Sequence, residues 1–487
     1  MTNNVTRSQA EGLQFLSSYR SAFTTRVDGS TWPKNERTWL NAGRYFRGLL
    51  RPGSPNTTTD IAEKMHTDQE RLERFVRESP WEHERVEAEL RERVPEAIQG
   101  HEAALIVDGM GIPKTGEDSV GVARQWCGVT GKLDNCQVTV NCTLARPGER
   151  QNADQLTWPL GMRLFLSEKW TDDDDADYES QQERERYAQR RKNTAVPADT
   201  EHQSKPELAL ELVEQAVSAE INHGCVVADR FFGEARSFRR KLRAISEPYV
   251  LEVSPTEFRT VPEDTDLIHP DAHPNRKHAA HPEDVTSETP AEVAETLGDD
   301  AWTEITWNEG TKESLSSEFY RTRVREVKRR DTGWVSDETG WLLLKNEKND
   351  DDDEDEDEDE ENRVLRAWIC WGVDEASLEE LVSWAQLRWC VEQFHRDIKQ
   401  NLGADEYQGR TWKGVHHHLA VVMLAHAFVV RRRLETGANH SDFSSFEDVI
   451  GQIVRESAIQ GLMEDKGCDR DRAEELAEYM LQSYSPW

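Results

Sequence analysis

Between Trp384 and Leu402 the apolar residues Trp384, Leu387, Val391, Phe394, Ile398 and Leu402 recur three or four apart. This spacing predicts a helix with one buried stripe. At about 100° per residue, Arg388, Glu392 and Lys399 fall within about 40° of one line beside that stripe. On its own this is an ordinary amphipathic helix whose Arg–Glu pair adds roughly a few tenths of a kcal/mol. Helical spacing also marks the first hundred residues, over Leu13–Phe23, Trp39–Leu50, Ile61–Phe75 and from Pro80 through Glu92, with a break at Arg51-Pro52-Gly53-Ser54-Pro55. Further helices are expected over Glu207–His223, 230–245, Val415–Leu434 and 444–482.

Period-two and short apolar runs predict strands between these helices. ALIVD (104–108) and CVVAD (225–229) are apolar runs ending in aspartate. Cys136–Leu144 alternates cleanly, and Met162–Leu166 and Tyr249–Val253 add two more. Gly109, Gly111, Pro113 and Gly116 read as a loop after Asp108. Residues 255–300 read as irregular, strand patterns return from Trp302 to Leu344 and over Arg363–Val373, and Asp350–Glu361 is an unbroken acidic run that only water can solvate. Alternating strands and helices indicate an α/β core.

Composition narrows the picture. The 487 residues carry 94 acidic and 60 basic side chains, a net charge of −34, with arginine dominating the cations. Such a surface suits a halophilic protein, in which dense salt screens self-repulsion. It also requires local basic patches wherever an acidic polymer is bound. The seven cysteines form no CxxC pair and read as buried thiols in a reducing cytoplasm, not as a zinc site. No apolar run approaches the roughly 18 residues of a membrane span, so a soluble cytoplasmic protein is expected.

Two strand-end aspartates and a glutamate at a core edge repel one another if they meet, unless a cation intervenes. Oxygen donors select Mg²⁺ or Mn²⁺. Three stretches make such a meeting the leading reading: VDGMGIPKTGEDSVGVARQWCGVTGKLDNCQVTV (107–140), VVADRFFGE (226–234) and RWCVEQFHRDIKQNLGADEYQGRTWKGVHHHL (388–419). In order, they resemble the catalytic blocks of prokaryotic insertion-sequence DDE transposases. The likeness is to the branch with a Tyr–Arg–Glu–Lys signature, which Arg388-x3-Glu392-x6-Lys399 matches. It covers about residues 37–435.

The resemblance implies an α/β fold with a ribonuclease H-like catalytic core, a mixed sheet with flanking helices, interrupted by a β-rich insertion. It divides the chain into a helical region 1–100 with possible DNA binding, core 101–254, insertion 255–374 with the acidic loop 350–361, core 375–435 and a helical region 436–487. Asp108, Asp229 and Glu392 become catalytic residues and ligands of two Mg²⁺ (or Mn²⁺) ions. The implied substrate is double-stranded DNA, at transposon inverted-repeat ends and in the target, handled by a homodimer. The signature tyrosine falls at Ala385, which leaves hairpin formation open; Trp389 offers a ring face nearby. Arg388, Lys399, Lys114 and Arg124 become phosphate contacts, and the Arg321/Arg323/Arg325 strand face, with Arg236–Arg243 and Arg431–Arg433, a candidate DNA track. His416, His417 and His418 point in different directions on a helix, so packing is expected of them rather than a metal site. Two competing readings are a catalytically silent end-binding protein and a nuclease without strand transfer. Three intact carboxylates favour the enzyme over the first, and the Arg–Glu–Lys helix speaks against the second.

Overall fold

The computed structural model describes residues 14–26, 29–32, 34–51, 55–147, 156–171, 176–267, 286–307, 315–329, 334–347, 364–437, 446–466 and 469–484. The acidic run 350–361 lies outside them. One large mixed sheet organises the fold. Its strands are β1 (Ala104–Pro113), β2 (Ala123–Cys127), β3 (Lys132–Arg146), β4 (Leu156–Leu164), β5 (Cys225–Ala228), β6 (Tyr249–Val253), β7 (Thr260–Pro262), β8 (Thr303–Trp307), β9 (Leu315–Arg329), β10 (Trp334–Glu347) and β11 (Val364–Trp371). They run in the order β2-β3-β1-β5-β6-β11-β10-β9-β7, with β4 also on β3 and β8 on β9.

The apolar runs in β1 and β5 are buried at every position from Ala104 to Val107 and from Cys225 to Ala228, as expected of strands covered on both faces. Within this sheet β1 pairs antiparallel with β3 and parallel with β5, and β5 pairs parallel with β6. Parallel neighbours need crossovers. Lys205–Ser218 leads into β5, and Arg230–Glu234 with Arg236–Ala244 joins β5 to β6. Ser204 starts the first of these as a capping box with Glu207. β11 then pairs antiparallel with β6 and with β10, so β7–β11 continue the same sheet.

The structure corrects four local readings. β1 does not stop at Asp108: pairing with β3 continues through Gly109 and Gly111 to Pro113, opposite Cys136. Ile61–Phe75 is two helices, Thr58–Lys64 and Gln69–Glu78, separated where His66 takes a positive φ of 46°. Residues 384–402 also divide, into Leu378–Gln386 and Trp389–Gln400. Within 255–300 lie β7 and the helix Pro290–Glu295, capped reciprocally by Thr289 and Glu292.

Trp412–Gly437 is the core helix, packed on β4 and on the N-terminal helices. It is long and apolar enough to cross a membrane by composition, yet 94% of its most apolar window is buried inside the protein. Its three consecutive histidines take separate partners. His416 Nδ1 lies 2.9 Å from Trp412 O, His417 stacks on Trp81 at 3.7 Å, and His418 Nδ1 meets the Tyr45 hydroxyl at 2.9 Å. They tie the N-terminal helices to the core.

Candidate active site

Strand register sets the first two carboxylates side by side. Val107 pairs with Ala228 in the parallel β1–β5 ladder, so Asp108 and Asp229 are the next residues on adjacent strands. Asp108 remains in β1, opposite Asn141, and its Oδ1 accepts from Gly109 N at 2.7 Å. Asp229 leaves β5 and becomes the N-cap of Arg230–Glu234, where its Oδ1 accepts from Phe232 N at 3.2 Å. That short helix sits directly on β6. A Cβ at Gly233 would lie 1.8 Å from Glu252 O, so only glycine permits the approach that places Asp229.

Glu392 comes from the helix Trp389–Gln400, whose N-cap is Arg388. Arg388 links the elements: it pairs closely with Glu392, its Nη1 lies 3.8 Å from Asp108 Oδ2, and its Nε lies 4.0 Å from Glu252 Oε2. Lys399, two turns further on, donates to Gly111 O at 3.0 Å and fastens the same helix to β1. Glu392 itself is exposed and turned toward Arg388. Among the described residues no three His, Cys, Asp or Glu side chains already converge as metal donors. The structure thus brings Asp108 and Asp229 together and holds Glu392 one guanidinium away.

Electrostatics follow from this packing. Burial, then the Asp229 charge, raises Asp108 well above the ordinary carboxylate range, against the pull of Arg388. Burial likewise raises Asp229, opposed by the Phe232 N–H and Arg388. Burial works against the charge on Arg388, but Asp108, Glu392, Glu252 and Asp229 outweigh it and hold its pKa up. A group with a raised folded pKa adds stability below its unfolded pKa and loses it as pH rises through the folded value. In chelator, therefore, wild type should lose stability relative to Asp108→Asn as pH rises from 5 to 8. The expected difference is about 1.4 kcal/mol for each unit of upward shift, read from paired denaturant titrations. A difference that is flat across this range would mean that neither burial nor Asp229 raises Asp108.

Two pairs escaped the sequence reading. Glu252 on β6 receives Arg366 from β11 through Nε at 3.2 Å and Nη2 at 2.7 Å, and puts a fourth carboxylate beside Arg388. A lone acid in the apolar strand YVLEV was the available signal. Asn141, fully buried, donates from Nδ2 to His395 Nε2 at 2.8 Å. Burial, then Lys399 and Arg388, pushes His395 down to about 3, so its ring is neutral and accepts.

The remaining candidates are dispersed. Trp389 opens the Glu392 helix and is half-buried; Ala385, in the preceding helix, is buried in the core. Lys114 donates to Tyr407 O at 3.0 Å, whereas Arg124 is exposed on β2. The β9 arginines are engaged internally. Arg321 lies 4.3 Å over Trp341 and bonds Ala376 O, Arg323 pairs with Glu263 and Asp374, and Arg325 Nε donates to Glu263 O at 3.0 Å. In the Arg236–Arg243 cluster, Arg239 and Arg243 grip Glu326; Arg431 and Arg432 both pair with Glu435.

Two adjacent strand-borne aspartates, with a glutamate helix alongside and Arg388 between, gather carboxylates at one edge of the sheet. Residues 30–314 match the family described as DDE superfamily endonuclease, and the chain belongs to that family. The match includes Asp108 and Asp229 and ends before Glu392. A probable transposase for insertion sequence element IS701 from Microchaete diplosiphon is 26% identical over 222 residues, 45% of this chain and 50% of that protein. The chain thus spans about half the length of this curated relative.

Proposed function

We propose that this endonuclease is an insertion-sequence transposase that cuts DNA at inverted-repeat ends and joins the freed 3′-OH to target DNA. The observation that carries the reading is the placement of Asp108 and Asp229 on neighbouring parallel strands, with Glu392 tied to them through Arg388. The strand order β4-β3-β1-β5-β6, antiparallel up to β1 and parallel beyond it, supports a ribonuclease H-like core for residues 101–254 and 375–435. On that reading 255–374 is an insertion that lengthens the core sheet.

Asp108, Asp229 and Glu392 fit a divalent metal by donor type, since all three offer hard oxygens and burial raises the pKa of both aspartates. When bound, a pair of Mg²⁺ or Mn²⁺ ions supplies water activation and stabilises the leaving 3′ oxygen. The chain's own residues do the rest. Arg388 balances the carboxylates and offers its fork to a phosphate. Lys399 holds the Glu392 helix against β1, and Asn141 and His395 occupy the floor beside Asp108. A dimer, acting in the cytoplasm, would bring two ends together.

The test is direct. A supercoiled plasmid carrying the DNA that flanks this reading frame is incubated with the protein in Mg²⁺ or Mn²⁺. Excised linear DNA with 3′-OH ends, followed by joined products, is expected. Binding without cleavage in either metal would instead assign the silent end-binding role.

A further inference from the structure

Large apolar side chains left in water need a reason when they cluster. Three of those exposed among the described residues share one hairpin: Trp126 at 60%, Val129 at 59% and Leu133 at 58%. Trp126 and Leu133 are cross-strand partners in the β2–β3 ladder, so they stand on one face, with Val129 in the turn. Arg124, exposed, alternates onto the same face as Trp126, and Lys132 is exposed beside the turn. Residues 123–135 hold two cations and one carboxylate, in a chain of net charge −34. An apolar face edged by cations matches a partner with flat apolar rings and negative charge.

The hairpin stands next to the candidate site. Its base rests on β1, where a Cβ at Gly111 would lie 3.0 Å from Cys127 Sγ, and Gly111 is also the anchor of Lys399. On its inner side Cys127, Cys136 and Val138 form a small core against Phe165. Lys205 Nζ lies 5.0 Å over the Phe165 ring and 5.5 Å over that of Phe231. Phe231 is 54% exposed and follows Asp229 by two residues. These groups stand on the inner side; by strand alternation Trp126 and Leu133 stand on the opposite face of the sheet, the one that carries Asn141 and Asp108.

We infer that the exposed face of the β2–β3 hairpin forms a base-stacking track for an unpaired DNA strand entering the site. The inference rests on the transposase reading and names how that substrate is held. Stacking needs only a ring face and is insensitive to base sequence, and Arg124 and Lys132 beside the Trp126 ring meet the phosphates between bases. Duplex DNA hides those faces, so the track distinguishes strands that have separated from strands that are paired.

Fluorescence anisotropy with two probes tests this: a labelled oligothymidylate and a fully paired duplex of the same length. Trp126→Ala combined with Leu133→Ser should weaken single-strand binding about tenfold and duplex binding no more than about twofold. Trp126→Phe, which keeps a ring, should stay within about twofold of wild type. All these side chains are more than half exposed, so the variants keep the fold. Equal losses on both probes, or none, would overturn the track. So would a double variant that sediments at half the wild-type mass while binding both probes normally, because the face would then join two copies of the chain. Wild-type protein that binds neither probe would remove the transposase reading as well. Normal plasmid cleavage with unaltered single-strand binding by the double variant would remove the track alone.

Discussion

Asp108→Asn, Asp229→Asn and Glu392→Gln should each lower DNA strand cleavage by at least about 10³-fold, with DNA affinity changed by less than about threefold. Each exchange keeps side-chain shape and replaces one anionic oxygen with an amide, which on the proposed reading removes a metal donor. On the proposed reading the three groups act as one unit, so a double variant should be scarcely worse than either single one. The stability readout moves the opposite way. Burial, then the Asp229 charge, raises the Asp108 pKa in the metal-free protein, so neutralising Asp108 relieves strain while it removes activity. A variant that is both inactive and less stable would point to a structural role for Asp108. Cleavage at the wild-type rate by any one of the three would refute its assignment.

A second large effect is expected far from the carboxylates. Glu326 on β9 is 5% exposed and receives Arg239 Nη2 at 2.5 Å and Arg243 Nη2 at 2.8 Å. Arg239 also bonds Gly233 O, within the helix that Asp229 caps. Removing the carboxylate strands two buried guanidiniums, so Glu326→Gln should destabilise the fold by about 3–5 kcal/mol. Replacing Glu326, Arg239 and Arg243 together with apolar residues of similar volume should cost far less, since no charge is then left buried alone. Burial by itself would raise the Glu326 pKa, but Arg239 and Arg243 outweigh it and hold it below the ordinary value. The contribution is therefore complete above the unfolded glutamate pKa and is lost as pH falls through the lowered folded value. Denaturant midpoints of wild type and Glu326→Gln should differ most near neutrality and converge in acid. Parallel curves over the whole range would show that the charge on Glu326 contributes nothing.

What was legible in the sequence, and what was not, follows from how each feature is held. The apolar runs before Asp108 and Asp229 announce buried strands because nothing else tolerates such runs, and β1 and β5 lie where these were read. The strand continuing through Gly109 and Gly111 was not legible, because pairing with β3 overrides the weak strand preference of glycine. Arg388 and Glu392 do pair, yet the helix starts one residue after Arg388, and the side chain reaches two strands that periodicity cannot locate. Glu252 and Arg366 meet only because β11 returns to β6 across a long sequence separation. The basic runs showed where cations stand but not their partners, and Arg239, Arg243 and Arg323 spend their charge on carboxylates of the same chain.

The seam between β6 and β11 also constrains how the protein is made. On the ribosome β1, β5 and β6 emerge early, but the free edge of β6 stays open until Val364–Trp371 has been synthesised. Through that interval the nascent chain presents an unpaired, largely apolar strand, the kind of edge that recruits other chains. Closure then depends on contacts between distant residues, which form slowly. Translation that stalls within the β7–β10 segment therefore leaves an aggregation-prone intermediate that also lacks Glu392. Glu392 follows β11 in the chain, so it can join Asp108 and Asp229 only after the last strand has been made.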